Sequence, residues 1–193
     1  GRWRTIAAGC AKGAIMSSDS TETITLAGGC FWCLDSAYSQ FRGIEDVTCG
    51  YTGGKVVNPT YEQVCEGNTD HAEVVSIRFD ESVISASDIL DIFFTLHDPT
   101  QLNRQGNDIG TQYRSAMYFA DADQKEIFSQ SIERAREIWG NGIVTEVTEL
   151  GEFYAAEEYH QDFFAKNPNQ GYCLAVVAPK VNKVRSKFTH LLK

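Results

Sequence analysis

Segments in which apolar and polar side chains alternate, as in β-strands, are separated by helical segments along most of this 193-residue chain. Residues 23–27 alternate and stop at Gly28-Gly29, and residues 30–41 then place apolar side chains at helical spacing. A strand, helix, strand order returns between residues 73 and 119. We therefore predict an α+β fold, a two-layer sandwich in which helices pack on a mixed, largely antiparallel sheet.

The C-terminal part of the chain is predicted to be less regular. Residues 143–147 predict another strand, and residues 155–165 predict a helix. Residues 167–181 show little periodicity, so we expect a long irregular C-terminal tail that is able to swing as an arm. Together with the preceding order of strands and helices, this pattern predicts a ferredoxin-like core followed by an irregular tail.

Composition limits the class of protein. Hydrophobic residues make up 42% and charged residues 22% of the chain, as in folded domains that bury their own core. The net charge of -9 argues against a nucleic-acid partner, and no apolar run approaches the roughly 20 residues of a membrane helix. We interpret residues 1–15 as an addition to the natural chain or a processed leader, and residues 16–193 as a single domain.

Cysteine usage indicates the compartment. Five cysteines follow the interpreted leader, and they are Cys30, Cys33, Cys49, Cys65 and Cys173. An odd number of cysteines in a chain of this size favours a reducing, cytoplasmic location over a disulfide framework. Structural zinc sites usually use paired ligands, and Cys49 and Cys65 are single and widely spaced. We therefore expect no metal site.

Cys30 follows the two glycines at the predicted junction between the first strand and the first helix. Free N–H groups and the positive dipole end at a helix start stabilise a thiolate, so the pKa of Cys30 is expected to be lowered. Cys33 completes a C-x-x-C pair, which is typical of thiol–disulfide exchange. The residues alone leave three interpretations open: a reactive nucleophile, a general thiol–disulfide oxidoreductase that uses Cys30 and Cys33, and a buried cysteine cluster.

The segment Gly29-Cys30-Phe31-Trp32 resembles the active-site motif of the peptide methionine sulfoxide reductase A family. Further segments match the pattern of that family in the same order, and they are Gly50-Tyr51-Thr52-Gly53-Gly54, Asn58-Pro59-Thr60-Tyr61, His71-Ala72-Glu73, residues 106–115, Tyr159-His160-Gln161 and Gly171-Tyr172-Cys173. The resemblance implies thiol-dependent reduction of methionine S-sulfoxide, free or within peptides, as repair of oxidative damage. It implies no metal, flavin or nucleotide cofactor.

The resemblance also implies a role for each pocket residue. Cys30 would be the nucleophile that attacks the sulfoxide sulfur, and Glu73 the acid that protonates the sulfoxide oxygen. The remaining roles are a methyl pocket formed by Phe31 and Trp32, phenol donors Tyr61 and Tyr113, and a supporting carboxylate, Asp108. The Glu-x-x-His segment from Glu157 to His160 is interpreted as structural or supporting, because a di-iron bundle needs a second copy.

A second thiol has to resolve the sulfenic acid that attack leaves on Cys30. The resemblance points first to Cys173, at the C-terminal recycling position of the family. Cys33 is the other candidate, and it stands where the family more usually has glycine. The resulting disulfide would be reduced by thioredoxin or a similar dithiol, and the protein is expected to act as a monomer.

Overall fold

The computed structural model describes residues 20–193, so the interpreted leader at residues 1–15 lies outside the described residues. Eight strands occur in the described part of the chain, and they are β1 (Thr21–Gly28), β2 (Ile44–Thr52), β3 (Ala72–Asp80), β4 (Arg104–Gln105), β5 (Asp108–Ile109), β6 (Ser115–Phe119), β7 (Glu146–Glu149) and β8 (Tyr154–Ala155). Six of them form one sheet in the order β7-β6-β1-β3-β2-β8, and β4 and β5 form a separate hairpin.

The described residues also contain six α-helices, and they are α1 (Phe31–Ser39), α2 (Tyr61–Cys65), α3 (Ala86–Leu96), α4 (Ala122–Trp139), α5 (Phe163–Lys166) and α6 (Ala178–Lys187). A π-helical turn at Cys173–Val177 precedes α6, and short 3₁₀ turns include Thr111–Tyr113 and Glu158–His160. In the part of the chain that the structure covers, no helix has the length and apolar character that crossing a bilayer requires.

The sheet is mixed and largely antiparallel, as predicted. β6 and β7 run parallel, whereas β1 pairs antiparallel with both β3 and β6, and β2 pairs antiparallel with both β3 and β8. β1 and β3 therefore lie at the centre of the sheet. The register places Tyr51 of β2 opposite Glu73 of β3, which brings Glu73 into the interior near the end of β1.

Helices cover one face of the sheet. Ile24, Leu26 and Ile77 from the strands form one buried cluster with side chains of α1, α3, α4 and α6, among them Leu34, Phe93, Phe128 and Val184. Full burial of such side chains contributes about 1.5–3 kcal/mol each, which makes this layer the main source of stability. The opposite face carries a smaller cluster around Val74 and Tyr118, packed against Leu150 and Phe153.

The helix predicted over residues 155–165 is wrong. That segment contains β8, the Glu158–His160 turn and the short helix α5. Two contacts with the rest of the molecule override the local helical pattern. The Gln161 side chain bonds both the N–H and the C=O of Cys49, at 2.8 and 3.1 Å. Asp162 adopts a left-handed conformation with φ 54° and gives its N–H to Asp35.

The irregular tail predicted over residues 167–181 is also wrong for most of its length. The chain is helical from residue 171 to residue 187, through the π-helical turn and α6. Val177 and Val184 are buried, so packing against the rest of the molecule stabilises this segment. Pro179 does not prevent the helix, because it closely follows the π-helical turn, where the hydrogen-bonding pattern changes as α6 begins. The last predicted strand, at residues 143–147, lies slightly later, at β7.

Candidate active site

Cys30 lies between β1 and α1, at the N-cap position of the helix, and is 8% exposed. The backbone before it requires glycine. Gly29 has φ +88°, and a Cβ atom there would lie 2.8 Å from Cγ of Gln105. The strand can therefore turn sharply and place Cys30 at the start of the helix.

The thiol of Cys30 hydrogen-bonds to the thiol of Cys33, one turn further along α1. Burial raises the pKa of Cys30 well above its usual range. The hydrogen bond to Cys33 and the charge of Glu73 act in the same direction, and only the backbone N–H of Trp32 opposes them. The lowered pKa that the helix start predicted is therefore not found in this state. The hydrogen bond that Cys30 donates lowers the pKa of Cys33, so negative charge in the pair is favoured on Cys33.

Glu73 lies in β3 and is only 1% exposed. Its Oε1 accepts the backbone N–H of Phe31 at 3.1 Å. Burial raises the pKa of this carboxyl to about 8, although the Phe31 hydrogen bond lowers it. The charge of Asp108 raises it further. Glu73 is consequently protonated in most molecules at neutral pH, and it can donate a proton to a ligand beside Cys30.

The structure brings six of the predicted site residues together around one open depression. They are Cys30, Trp32, Tyr61, Glu73, Asp108 and Tyr113. These residues come from α1, α2, β3, β5 and the Thr111–Tyr113 turn, so the site exists only in the folded sheet. Gln170 and Tyr172 line the same depression and were not predicted as site residues. A sequence signal for Tyr172 was present, because it precedes Cys173 in the matched Gly-Tyr-Cys segment.

Three predicted site residues do not line the depression. Phe31 is fully buried behind it, and its ring packs 5.7 Å from Tyr51 and 6.4 Å from Tyr61, measured between ring centroids. Cys33 and Cys173 are also buried, in one apolar cluster with Cys30. The two candidate resolving thiols are therefore both close to Cys30, although neither lines the depression.

The C-terminal segment closes one side of the depression. The Tyr172 hydroxyl donates to Oδ2 of Asp108 at 2.5 Å, and it also hydrogen-bonds to the thiol of Cys33. The Tyr172 ring meets the Trp32 ring edge-on, with ring centroids 5.8 Å apart. The Phe163 ring stacks on Trp32, with ring centroids 3.8 Å apart. Trp32 thus forms an apolar wall that aromatic neighbours hold in place.

Two phenols face the depression from the side of α2. Tyr61 and Tyr113 are half-buried, and burial raises the pKa of both hydroxyls above its usual range, so they stay protonated donors. Tyr61 also hydrogen-bonds to the exposed thiol of Cys65. Within residues 20–193, no group of three or more His, Cys, Asp or Glu side chains is arranged to hold a metal ion.

Known proteins share the sequence pattern and the fold of this chain. A sequence model of the family "Peptide methionine sulfoxide reductase" matches residues 22–192. The chain belongs to the peptide methionine sulfoxide reductase family. The protein "Peptide methionine sulfoxide reductase MsrA" of Clavibacter michiganensis is 58% identical over 172 residues, which cover 89% of this chain and 98% of that protein.

Solved structures of the same family have a similar fold. Mxr1 from Saccharomyces cerevisiae in reduced form is 37% identical with a TM-score of 0.76, and the match covers 80% of this chain and 90% of Mxr1. Mxr1 in complex with Trx2 is 25% identical with a TM-score of 0.55, covering 75% of this chain and 86% of that chain. The peptide methionine sulfoxide reductase fold therefore extends over most of the described residues.

Proposed function

We propose that this chain reduces methionine S-sulfoxide, free or within peptides, to methionine, with Cys30 as the nucleophile. The observation that carries the proposal is the buried carboxyl of Glu73 beside the Cys30 thiol, with a pKa of about 8. Sulfoxide oxygen leaves poorly until it is protonated, so thiol attack needs an acid at this position. Family membership supports the same reaction.

The reaction balances without a cofactor. The Cys30 sulfur attacks the sulfoxide sulfur, and Glu73 protonates the sulfoxide oxygen while its carboxylate takes up the thiol proton of Cys30. The S–O bond of the substrate and the transient bond between the two sulfur atoms then break as the oxygen is transferred to Cys30. Methionine is released, and the Cys30 thiol is oxidised by two electrons to a sulfenic acid. Tyr61 and Tyr113 donate hydrogen bonds to the oxygen as it is protonated, and Asp108 supports the pocket by accepting the Tyr172 hydroxyl.

Aromatic surface provides recognition of the apolar end of the substrate. Trp32 lines the depression directly and forms the wall against the terminal methyl group. Phe31 contributes from behind, because its ring supports Tyr61 and its N–H fixes Glu73. The specificity for the S epimer follows from the family resemblance.

Resolution of the sulfenic acid forms a disulfide and releases water. Both candidate thiols lie in the buried cluster with Cys30. Direct hydrogen bonding supports Cys33 for the first capture. Cys173 then attacks the Cys33 sulfur, which forms a disulfide between Cys33 and Cys173 and releases the Cys30 thiol. Burial and the nearby charge of Cys33 raise the pKa of Cys173. This order keeps Cys173 as a resolving residue and adds Cys33 before it.

Thioredoxin or a similar dithiol then reduces the enzyme disulfide. The solved complex of Mxr1 with Trx2, to which this chain is similar, supports such a donor. Because Cys33 and Cys173 are buried, reduction requires the segment around Cys173 to move outward. We further propose a cytoplasmic location, supported by the free cysteines among the described residues, and action as a monomer.

We further propose that the sheet and its helices have a ferredoxin-like core. In chain order, β1, β2, β3 and β6 are the first to fourth long strands of the sheet, and their spatial order is fourth, first, third, second. With α1 and α3 as the two crossing helices, this arrangement supports a ferredoxin-like core.

A second candidate is general thiol–disulfide exchange by Cys30 and Cys33, which the hydrogen bond between the two thiols favours. The two functions make different demands on Glu73. Sulfoxide reduction needs its proton, whereas disulfide exchange does not.

The test is consumption of methionine S-sulfoxide with dithiothreitol as reductant, in parallel with reduction of insulin disulfides. We expect turnover of the sulfoxide, loss of that turnover in Glu73→Gln, and no insulin reduction. Insulin reduction that survives in Glu73→Gln, without sulfoxide turnover in the wild type, would overturn the proposal. Repeating the assay with thioredoxin, thioredoxin reductase and NADPH tests the electron donor separately.

A further inference from the structure

The loop between β8 and α5 contains residues 157–160, called here the Glu157–His160 turn. It does not line the depression, yet it contacts two of the aromatic residues that do, Trp32 and Tyr61. The sequence predicted a structural or supporting role for this segment. Its contacts with Trp32 and Tyr61 indicate a more specific one.

His160 is 1% exposed, and its Nδ1 lies 3.0 Å from the indole nitrogen of Trp32. An indole N–H only donates, so Nδ1 of His160 must be the acceptor and carry no proton. The ring is therefore neutral, with its hydrogen on Nε2. Burial lowers the pKa of His160, which favours the same neutral form.

The hydrogen bond from His160 complements the stacking of Phe163 on Trp32. The two stacked rings are 3.8 Å apart and inclined by 4°, which fixes the plane of the indole. Stacking alone still allows the indole to slide across the Phe163 ring when its side-chain torsions change. The bond to Nδ1 of His160 removes this freedom, so the edge that faces the substrate keeps one position.

Glu157 holds the other side of the pocket. Its Oε1 accepts the hydroxyl of Tyr51 at 2.9 Å, and its Oε2 accepts the backbone N–H of Tyr61 at 2.9 Å. Tyr61 is the first residue of α2, so the carboxylate ties the start of that helix to the turn. The His160 ring packs 4.3 Å from the Tyr61 ring, between centroids, and joins the two contacts into one unit.

We propose that the Glu157–His160 turn positions both walls of the sulfoxide pocket, and that His160 sets its selectivity for the alkyl group on sulfur. His160 acts through Trp32, and Glu157 acts through Tyr61, so both are positioning residues. The inference rests on the proposed function, because it assigns Trp32 to the alkyl group and Tyr61 to the sulfoxide oxygen.

The main experiment compares kcat and KM for the S-sulfoxides of methionine and of ethionine, which carries ethyl in place of methyl. A site that measures one methylene discriminates roughly 10- to 200-fold, and we expect His160→Leu to reduce that ratio by about fivefold or more. His160→Asn keeps an acceptor near the position of Nδ1 and should retain most of the ratio. His190→Leu removes an exposed histidine of the C-terminal end and should change neither constant.

Glu157→Gln serves as the second arm. It should lower kcat for both substrates and leave their ratio unchanged, because Tyr61 faces the oxygen rather than the alkyl group. Glu158→Gln, at the exposed neighbouring position, is the matched control and should behave like the wild type.

A readout independent of activity is the indole N–H signal of Trp32 in the NMR spectrum, assigned by its loss in Trp32→Phe. This signal should shift in His160→Leu and be largely retained in His160→Asn. An unchanged methyl-to-ethyl ratio and an unshifted signal in His160→Leu would overturn the inference while leaving the reductase function intact. Equal losses in the Leu and Asn variants, with a lowered Tm in both, would overturn it as well. A wild type that turns over neither sulfoxide would instead refute the proposed function.

Discussion

Cys30 and Tyr172 face the same depression, but the structure holds them by different means. Cys30 closely follows β1, which pairs on both sides with β3 and β6, and Gly29 with φ +88° forms the turn from that strand into α1. Tyr172 belongs to the C-terminal helical segment, which reaches the depression through its hydrogen bonds to Asp108 and Cys33. The reductive half of the site is thus part of the sheet, whereas the recycling half is attached to it.

This difference matches the two halves of the proposed cycle. Sulfoxide reduction needs Cys30, Glu73 and the phenols in one fixed geometry, because a proton and an oxygen are transferred together. Recycling needs a buried disulfide to reach an external dithiol. The segment is held by side-chain packing and hydrogen bonds and not by strand pairing, so it can release Cys173 without disturbing the central strands. Mutations on the two sides should therefore affect different steps.

The largest effect is expected for Cys30→Ser, which alters the part of the site that belongs to the sheet. A serine hydroxyl is a far weaker nucleophile, so turnover should fall on the order of 10³-fold or more. The measurement is single-turnover methionine release with dithiothreitol present. Cys65→Ser alters an exposed thiol outside the depression and should stay within a few-fold of the wild type; an equal loss there would mean that activity does not depend on Cys30 specifically.

Glu73→Gln should follow, with a decrease of roughly 10²–10⁴-fold in the rate of methionine release, the usual contribution of general acid catalysis. The amide keeps the size of the side chain and can still accept the Phe31 N–H, so the fold should be preserved. Single-turnover rates below pH 7 give the comparison. A rate close to that of the wild type would show that the proton comes from another group.

The pH dependence tests the same carboxyl without mutation. The pKa of Glu73 is raised to about 8 in the folded protein, from an ordinary value near 4.5. The acid form is therefore present below about pH 8, and the rate of sulfoxide reduction should fall as pH rises through this value. The free energy of unfolding should also decrease as pH rises from about 4.5 to about 8, because the folded protein binds the Glu73 proton more tightly than the unfolded chain does. A decrease above about pH 8 that persists unchanged in Glu73→Gln would contradict the assignment of Glu73 as the acid.

The part of the site that belongs to the sheet was also the part that the sequence predicted best. Alternation in β1 and β3 and the Gly28-Gly29-Cys30 junction correctly located Cys30 at a helix start. The pKa of Cys30 could not be predicted from that position. Burial and the hydrogen bond to Cys33 outweigh the helix start, and both depend on packing. Likewise, the raised pKa of Glu73 depends on burial that arises only when β2 pairs with β3.

The C-terminal side was predicted poorly for a different reason. Gln161 bonds to Cys49, 112 positions earlier in the chain, and His160 bonds to Trp32, 128 positions earlier. Such contacts replace the helix that local periodicity predicts over residues 155–165. Beyond residue 171 the opposite happens, since packing of Val177 and Val184 stabilises a helix where the sequence shows little periodicity.

Tyr172→Phe should selectively weaken the attachment of the C-terminal helical segment to the rest of the site. It removes the hydrogen bond to Asp108, and a bond to a charged carboxylate contributes about 1.5–3 kcal/mol when it holds a buried segment. We expect faster amide hydrogen exchange in residues 171–177 and a decrease of only a few-fold in single-turnover methionine release. Exchange that stays at the wild-type rate would mean that packing of Val177, and not the Tyr172 hydroxyl, holds the segment in place.

The smallest effect is expected where the chain enters α5, at Asp162. This residue has φ 54°, a left-handed conformation that glycine adopts without the steric cost of a Cβ atom. Its backbone N–H bonds to Asp35, which glycine can also do. Asp162→Gly should therefore change the free energy of unfolding by no more than about 1 kcal/mol and leave turnover unaltered. Asp162→Ala retains a Cβ and should have a lower Tm than Asp162→Gly. If the order of the two Tm values were reversed, the left-handed backbone would not be the property that matters at this junction.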